Sequence, residues 1–128
     1  MNVVDSSAWL EYFGDGPNAS EFSAAIEAPD ELVVPSLTLF EVFKRTSQIA
    51  DEGTALEAVG VMLQGAVAGL SATLSIEAAR LSLATGLAMA DAIILATARA
   101  EDAVLWTQDA HFETFENVEY REKATAGA

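Results

Sequence analysis

The chain has 128 residues, a length that favours one domain, since single domains usually contain about 100–150 residues. Six Lys and Arg stand against twenty Asp and Glu, and the formal net charge of −14 excludes a protein that grips nucleic acid through a broad basic surface. A hydrophobic fraction of 52% excludes an acidic disordered chain, and the absence of cysteine excludes a disulfide framework and a thiolate metal site.

The first half of the chain alternates short apolar runs with longer helical patterns that end at Gly or Pro. In chain order, the predicted elements are a strand at 2–4, a helix capped by Ser6 or Ser7 and ending at Phe13, a helix at 19–28, a strand at 32–34, and a helix capped by Ser36 that runs toward Ile49 until Gly53 breaks it.

The second half continues the same alternation. Its predicted elements are a helix from Thr54 to Gln64, a weak strand at 70–74, a helix capped by Ser75 and ending at Thr85, a helix at 89–100 after the break at Gly86, a strand at 103–106, and an edge strand at 118–120. The tail from Lys123 is expected to fray.

Strands that alternate with helices indicate parallel pairing through crossover helices. The predicted fold class is therefore α/β, a three-layer domain whose central, mainly parallel sheet of four to five strands is flanked by helices. No repeat, linker or low-complexity tract divides the sequence, so residues 1–128 are expected to form a single domain.

The chain is expected to be cytoplasmic, without a membrane span. The N-terminus carries no Lys or Arg and soon reaches a carboxylate at Asp5, the reverse of a secretory signal, and the lack of cysteine fits a reducing compartment. The uncharged stretch 58–76 approaches the length of a membrane span. Because Gly, Ser, Thr and Gln interrupt it, we interpret it as the end of a helix followed by a buried strand.

Four acidic side chains fall where a ligand site is expected. Ligands of open parallel sheets bind beyond the carboxyl ends of the strands, and Asp5 ends the first predicted strand while Asp109 follows the strand at 103–106. Glu41 and Asp91 lie instead within helices among apolar neighbours, where an unpaired buried carboxylate is costly.

Each acid alone also has a purely structural explanation. Glu41 can pair with Arg45 four residues on, Asp91 can interact with a helix dipole, Asp5 can cap a helix, and Asp109 can begin a turn. The chain has too few basic residues to neutralise four buried carboxylates, so a divalent cation is the expected partner. Oxygen ligands suit Mg²⁺ or Mn²⁺. Zinc is disfavoured because the sequence has no Cys and only one His.

Four segments of the sequence resemble those that carry the acidic residues of PIN-domain nucleases. They are VDSSAWLE at 4–11, PSLTLFEV at 35–42, MADAIILA at 89–96 and TQDAHF at 107–112. The resemblance spans residues 3 to about 120, and its specificity comes from the order and spacing of segments that are individually weak. In its small size the chain resembles the VapC-type toxins of bacterial and archaeal toxin–antitoxin pairs.

The resemblance implies a PIN-like nuclease domain and a Mg²⁺- or Mn²⁺-dependent endoribonuclease that hydrolyses RNA phosphodiester bonds as the toxin of a type II pair. Asp5, Glu41, Asp91 and Asp109 are then the catalytic acids and metal ligands, holding one or two ions. Ser6 and Thr107 are expected to orient these carboxylates. His111 and Phe112 are expected to pack and cap locally rather than to catalyse.

The resemblance also implies partners: a VapB-like antitoxin whose tail lies across the active site, and a second copy of the chain bound through the early helices as a homodimer. A basic antitoxin tail would be attracted by the net charge of −14. RNA must instead depend on local positive charge, for which the candidates are Lys44 and Arg45 beside Glu41, or Arg80, Arg99 and Arg121.

Three alternatives compete with this interpretation. A Mg²⁺-dependent receiver domain needs a second acid after the first strand and a late Lys, but Ser6 and Ser7 follow Asp5 and the only lysines are Lys44 and Lys123. A HAD-type phosphatase needs Asp-x-Asp at the same place. A catalytically silent PIN-like interaction module is the third alternative, which the presence of all four acids disfavours.

Overall fold

The computed structural model of the protein describes residues 1–124, and the end of the tail expected to fray lies outside them. The strands are β1 (Asn2–Val4), β2 (Leu32–Pro35), β3 (Ala66–Ala68), β4 (Val104–Thr107) and β5 (Val118–Tyr120). The helices are α1 (Ser6–Phe13), α2 (Ala19–Ile26), α3 (Ser36–Ile49), α4 (Glu52–Met62), α5 (Ala72–Thr85) and α6 (Met89–Ala100), with short 3₁₀ helices at Pro29–Glu31 and Ala110–Phe112.

The five strands form one sheet in the order β3-β2-β1-β4-β5, and all four pairings are parallel. This confirms the predicted α/β fold with a central parallel sheet. β1 lies at the centre, with Val3 beside Val33 of β2 and Leu105 of β4. Residues that follow β1, β2 and β4 therefore emerge side by side at the carboxyl edge of the sheet.

Helices cover both faces of the sheet, which gives the three predicted layers. Successive residues of β1 point to opposite faces: Val3 packs into a cluster with α5 and α6, and Val4 packs into a second cluster with α1 to α4. α6 is the most deeply placed helix, since seven successive residues, 92–98, are buried. Its burial sets the position of its first turn at the edge of the sheet.

The three predicted helix caps are wrong. For α1 and α3 the reason is that β1 and β2 run into these helices without a linker. The cap of α1 is Asp5 rather than Ser6 or Ser7, and its carboxylate accepts a hydrogen bond from the Ala8 N–H. α3 begins at Ser36 itself after Pro35, and no side chain caps it. In both cases the residue that leaves the strand has the extended backbone that a cap position requires.

The expected break at Gly53 is also wrong. The Asp51 side chain accepts from the Thr54 N–H at 2.7 Å, so α4 begins at Glu52 and Gly53 lies in its first turn. A capping carboxylate at this position is sufficient to start the helix before the glycine.

The predicted strand at 70–74 is wrong for a similar reason. The Ser71 hydroxyl accepts from the Leu74 N–H at 3.1 Å and caps α5, so Ser75 is not the cap and residues from Ala72 are helical. The third strand is instead Ala66–Ala68. Leu74, Ala78 and Leu81 are buried at helical spacing, which had been obscured by the uncharged run around them.

Within residues 1–124, no single helix is long and apolar enough to cross a membrane. α5 and α6 meet the length and composition required only as a pair, and they are bent by 116° at the break between them.

Candidate active site

Asp5 lies where β1 passes into α1 and is the most buried of the four predicted acids, with 3% exposure. Its backbone N–H continues the pairing with β4 by donating to the Trp106 carbonyl at 3.0 Å. One carboxylate oxygen, Oδ1, accepts from the Ser7 hydroxyl at 2.6 Å and the Ala8 N–H at 3.1 Å, and Oδ2 accepts from the Thr107 hydroxyl at 2.6 Å. The carboxylate is therefore held in one orientation.

Burial raises the pKa of Asp5 from 3.8 to about 6. The hydrogen bonds from Ser7, Thr107 and Ala8 lower the pKa, but they offset only part of the cost of desolvation, and the nearby charge of Asp109 raises the pKa further. Among the described residues no basic side chain forms an ion pair with Asp5. A cation at this edge of the sheet would stabilise its ionised form.

Thr107 connects the ends of the two central strands. It is fully buried, and its hydroxyl donates to Asp5 while accepting the Asp109 N–H at 2.9 Å. The register places Val4 beside Trp106, so the residue after β1 and the end of β4 meet directly. The Thr107 hydroxyl therefore positions the carboxylate of Asp5 and the backbone of Asp109.

Asp91, Asp109 and His111 form the closest cluster of possible ligands. Nδ1 of His111 lies 2.9 Å from Oδ2 of Asp91 and 3.3 Å from Oδ1 of Asp109. One ligand atom from each of the three residues falls within 4.8 Å of the others. The pKa of His111 is raised above 6.5, mainly by the hydrogen bond between His111 and Asp91 and next by the charge of Asp109.

Local structure explains how these side chains meet. Asp91 lies in the first turn of α6, where a negative charge also interacts favourably with the helix dipole. Asp109 caps the 3₁₀ helix that follows β4, and its Oδ1 accepts the His111 N–H at 2.9 Å. The tight turn brings the imidazole back over the two carboxylates.

Glu41 is half-buried on α3, and its Oε1 accepts the Ser6 hydroxyl at 2.6 Å. Ser6 directly follows Asp5, so this bond places Glu41 beside the end of β1. No ion pair joins Glu41 to Arg45 among residues 1–124. The structural explanation for Glu41 alone therefore does not hold, whereas Asp5, Asp91 and Asp109 do occupy the cap, first-turn and turn positions considered for them.

The four acids do not all meet at one point. Asp91 and Asp109 share the cluster with His111, whereas Asp5 and Glu41 lie outside it and are linked to the same edge through Thr107 and Ser6. Only Asp5 is buried, so the expectation that Glu41 and Asp91 are buried is wrong. The assignment of all four as ligands stays a prediction.

The imidazole of His111 is a site group that the sequence did not predict. The backbone of His111 belongs to a local cap as expected, but its side chain is 69% exposed and contacts Asp91 rather than packing. Phe112, by contrast, is 1% exposed and packs in the core as predicted. The available signal was the Asp-x-His spacing at 109–111 immediately after a strand, which in a tight turn puts both side chains at one edge.

The donor set fits a divalent cation. Two carboxylates and a neutral imidazole suit Mn²⁺, and carboxylates with water ligands suit Mg²⁺. His111 can act as a ligand only in its neutral form, since a protonated ring does not bind a metal. Asp5 keeps one acceptor position for a cation, on Oδ2, because each carboxylate oxygen has about two such positions and Oδ1 already accepts from Ser7 and Ala8.

Comparison with protein families gives an independent result. The model of the family described as PIN domain matches residues 3–118. No curated protein matches the chain in sequence.

Solved structures resemble this fold over most of its length. A toxin–antitoxin complex from Klebsiella pneumoniae matches with a TM-score of 0.79 at 20% identity, covering 93% of this chain and 96% of that chain. VapC20 from Mycobacterium tuberculosis, described as a sarcin–ricin loop cleaving toxin, matches with a TM-score of 0.74 at 17% identity, covering 88% of this chain and 93% of that chain. VapBC2 from Rickettsia felis, bound to a DNA fragment from their promoter, matches with 0.71 at 17% identity, covering 93% and 97%. Likeness at these identities establishes the fold.

We predict that Asp5→Asn alters the pH dependence of stability in the metal-free protein. The folded pKa of about 6 exceeds the ordinary 3.8, so the folded state binds this proton more tightly than the unfolded state does. Protonated Asp5 therefore contributes to the free energy of unfolding at low pH. This contribution is lost as pH rises from 3.8 to about 6, and the loss is at most about 3 kcal/mol. Urea denaturation with chelator present, from about pH 4 to about pH 7, measures it.

The control for this prediction is Asp30→Asn, which removes an exposed acid from the 3₁₀ helix before β2. In Asp30→Asn the free energy of unfolding should change with pH as steeply as in wild type, whereas in Asp5→Asn it should change less. Equal slopes in wild type and Asp5→Asn would contradict the assigned burial cost.

Proposed function

Since the chain belongs to the PIN-domain family, we propose that it is a metal-dependent endoribonuclease and the toxin of a type II toxin–antitoxin pair. The observation that carries the proposal is the convergence of Asp91, Asp109 and His111 within 4.8 Å beside the hydrogen-bonded Asp5. The family match, which covers residues 3–118, supports the proposal that the chain of residues 1–128 is a single nuclease domain. A catalytically silent module would not need to maintain a costly buried carboxylate among further acids.

In this proposal Asp5, Glu41, Asp91 and Asp109 hold one or two Mg²⁺ or Mn²⁺ ions, and His111 is a further donor at the same edge. A divalent ion bound there would lower the pKa of a coordinated water and neutralise charge that develops on the scissile phosphate. The charge of the carboxylates themselves repels a phosphate, so RNA approaches this edge only when the acids are neutralised.

The protein residues around the acids have positioning roles. Thr107 and Ser7 orient Asp5, and Ser6 orients Glu41. Both serine hydroxyls donate to carboxylates that are proposed to hold the ion, and within residues 1–124 neither hydroxyl forms a hydrogen bond with His111. We propose direct hydrolysis by water, without a covalent intermediate. The solved structure of a sarcin–ricin loop cleaving toxin with this fold supports RNA as the substrate class.

The proposed partners are an antitoxin and a second copy of the chain. Two of the similar structures are a toxin–antitoxin complex and a VapBC assembly, which supports a VapB-like antitoxin, and the charge of −14 favours a basic segment in it. No large exposed apolar side chain of the described residues lies on α1 or α2, the helices expected to pair in a homodimer. Leu83 on α5 and Met89 at the start of α6, which are 88% and 74% exposed, better support a self-contact.

We predict that the purified wild-type protein cleaves RNA only with a divalent metal. With total bacterial RNA and Mn²⁺ or Mg²⁺, Asp5→Asn and Asp91→Asn should each lower the rate by at least about 100-fold, because each removes a charge that holds the ion. Product lengths on a denaturing gel give the rate, and Asp30→Asn serves as the matched exposed control.

Equal degradation by wild type and both active-site variants would show that the cleavage comes from a contaminant or another site. Undiminished cleavage in excess chelator would contradict the metal requirement.

We also predict that the chain is toxic without its partner. Induction alone should arrest growth of a bacterial host, and co-expression of the small open reading frame beside its gene should relieve the arrest, because an antitoxin tail would occupy the acidic edge. Growth curves with and without that reading frame measure this, with the Asp91→Asn variant as the inactive control. Arrest that persists with the neighbouring product present would contradict the antitoxin proposal while leaving the nuclease proposal intact.

A further inference from the structure

The chain has six Lys and Arg side chains, all within the described residues, and most of them are engaged with protein groups. The engaged ones are Arg80, paired with Glu77, Arg121, paired with Glu21 and Glu119, Lys44, over the Phe40 ring, and Arg99, over the Phe115 ring. Arg45 and Lys123 form no ion pair or side-chain hydrogen bond within residues 1–124. These two cations are therefore available to a ligand.

Arg45 and Lys123 line the same cleft, which has a volume of about 280 Å³. They come from distant parts of the chain, the middle of α3 and the segment after β5. Ser7 and Gln108 contribute polar groups to the walls. Two free cations gathered in one cleft are unusual in a chain with a net charge of −14.

The cleft adjoins the acidic edge of the sheet. Ser7, which lines it, donates to Asp5 at 2.6 Å, and Gln108 directly follows Thr107. Arg45 lies one helical turn after Glu41 on the same face of α3, since residues four apart on a helix are neighbours. A strand that passes over the acids can therefore continue into the cleft.

The structure also explains why Arg45 remains free. An acid four residues earlier on a helix normally attracts a cation, but the Ser6 hydroxyl holds Glu41 at 2.6 Å toward the end of β1. The cleft contains one carboxylate, Glu11, which accepts the Asn18 backbone N–H at 2.9 Å. Two cations and one anion leave the cleft locally positive.

The apolar walls complete the site. Leu10 and Ile49 line the cleft, and Ile49 is 64% exposed, so an apolar surface faces solvent next to the two cations. A nucleotide offers a matching combination, because its phosphate is anionic while the face of its base and the edge of its ribose are apolar. A free inorganic anion would use only the cations.

We infer that this cleft binds a backbone phosphate of the RNA strand next to the one that is cleaved, with Arg45 and Lys123 on the phosphate oxygens and Leu10 and Ile49 against the adjoining sugar or base. The inference rests on the proposed ribonuclease function. Of the basic residues considered for RNA binding from the sequence, it retains Arg45. It adds Lys123, which lies in the same cleft.

The test compares Arg45→Gln and Lys123→Gln with Arg80→Gln, which removes the same charge from a position paired with Glu77. The probe is a fluorescein-labelled oligouridylate of about twenty nucleotides, titrated by fluorescence anisotropy with Mg²⁺ present and checked for integrity on a gel. Loss of one phosphate contact lowers the salt slope of log K by about 0.7 and weakens binding roughly fivefold at about 0.1 M salt. The double variant should lose both contacts, Arg45→Lys should keep most of the binding, and Arg80→Gln should match wild type.

Three outcomes overturn the inference: no measurable binding of the probe by wild type, equal losses in Arg80→Gln and Arg45→Gln, or a weakened antitoxin complex with unchanged RNA binding. The last would assign the cleft to a protein partner. Cleavage of total RNA by wild type is scored separately, so the ribonuclease proposal can stand when the phosphate site fails. If wild type neither binds the oligouridylate nor cleaves total RNA, both the phosphate site and the ribonuclease proposal are wrong.

Discussion

The hydrogen bond from Thr107 to Asp5 is the interaction on which the rest of the site depends. It joins the carboxyl ends of β1 and β4, the two strands at the centre of the parallel sheet. The same hydroxyl accepts the Asp109 N–H, which places the turn that carries His111. A buried carboxylate without a cation is costly, and here its cost raises the pKa to about 6 even with three hydrogen bonds. The fold therefore maintains a charge that gains most from a bound ion.

The net charge of −14 has two separate consequences. Around the sheet edge the acids are close together and partly buried, so their charge acts as a potential cation site. Elsewhere, side-chain pairs and aromatic rings engage four of the six cations, and Arg45 and Lys123 are gathered beside the acids. At physiological salt, charges separated by more than about 8 Å are largely screened. The bulk charge therefore does not exclude an RNA substrate, and the local arrangement decides where RNA binds.

Sequence patterns predicted the parts of this structure that depend on local composition. The β-branched run at 2–4 and the apolar run at 89–100 have the expected strand and helix, and the alternation of elements predicted the parallel sheet. Predictions failed where a single side chain decides the outcome. Asp5, Asp51 and Ser71 cap helices one to four residues before the expected starts, and the Ser71 cap turns a predicted strand into the first turn of α5. The imidazole of His111 was missed because its position depends on a turn whose geometry the pattern does not specify.

Anomalous diffraction from crystals soaked in Mn²⁺ shows directly whether the acidic edge of the sheet holds a divalent ion. We expect a peak within about 2.2 Å of carboxylate oxygens of Asp91 and Asp109, on the side of the sheet edge where Asp5 lies. The peak should vanish in crystals of Asp91→Asn soaked in the same way. Full Mn²⁺ occupancy at other surface acids, with none at this edge, would show that the edge is not a divalent-ion site.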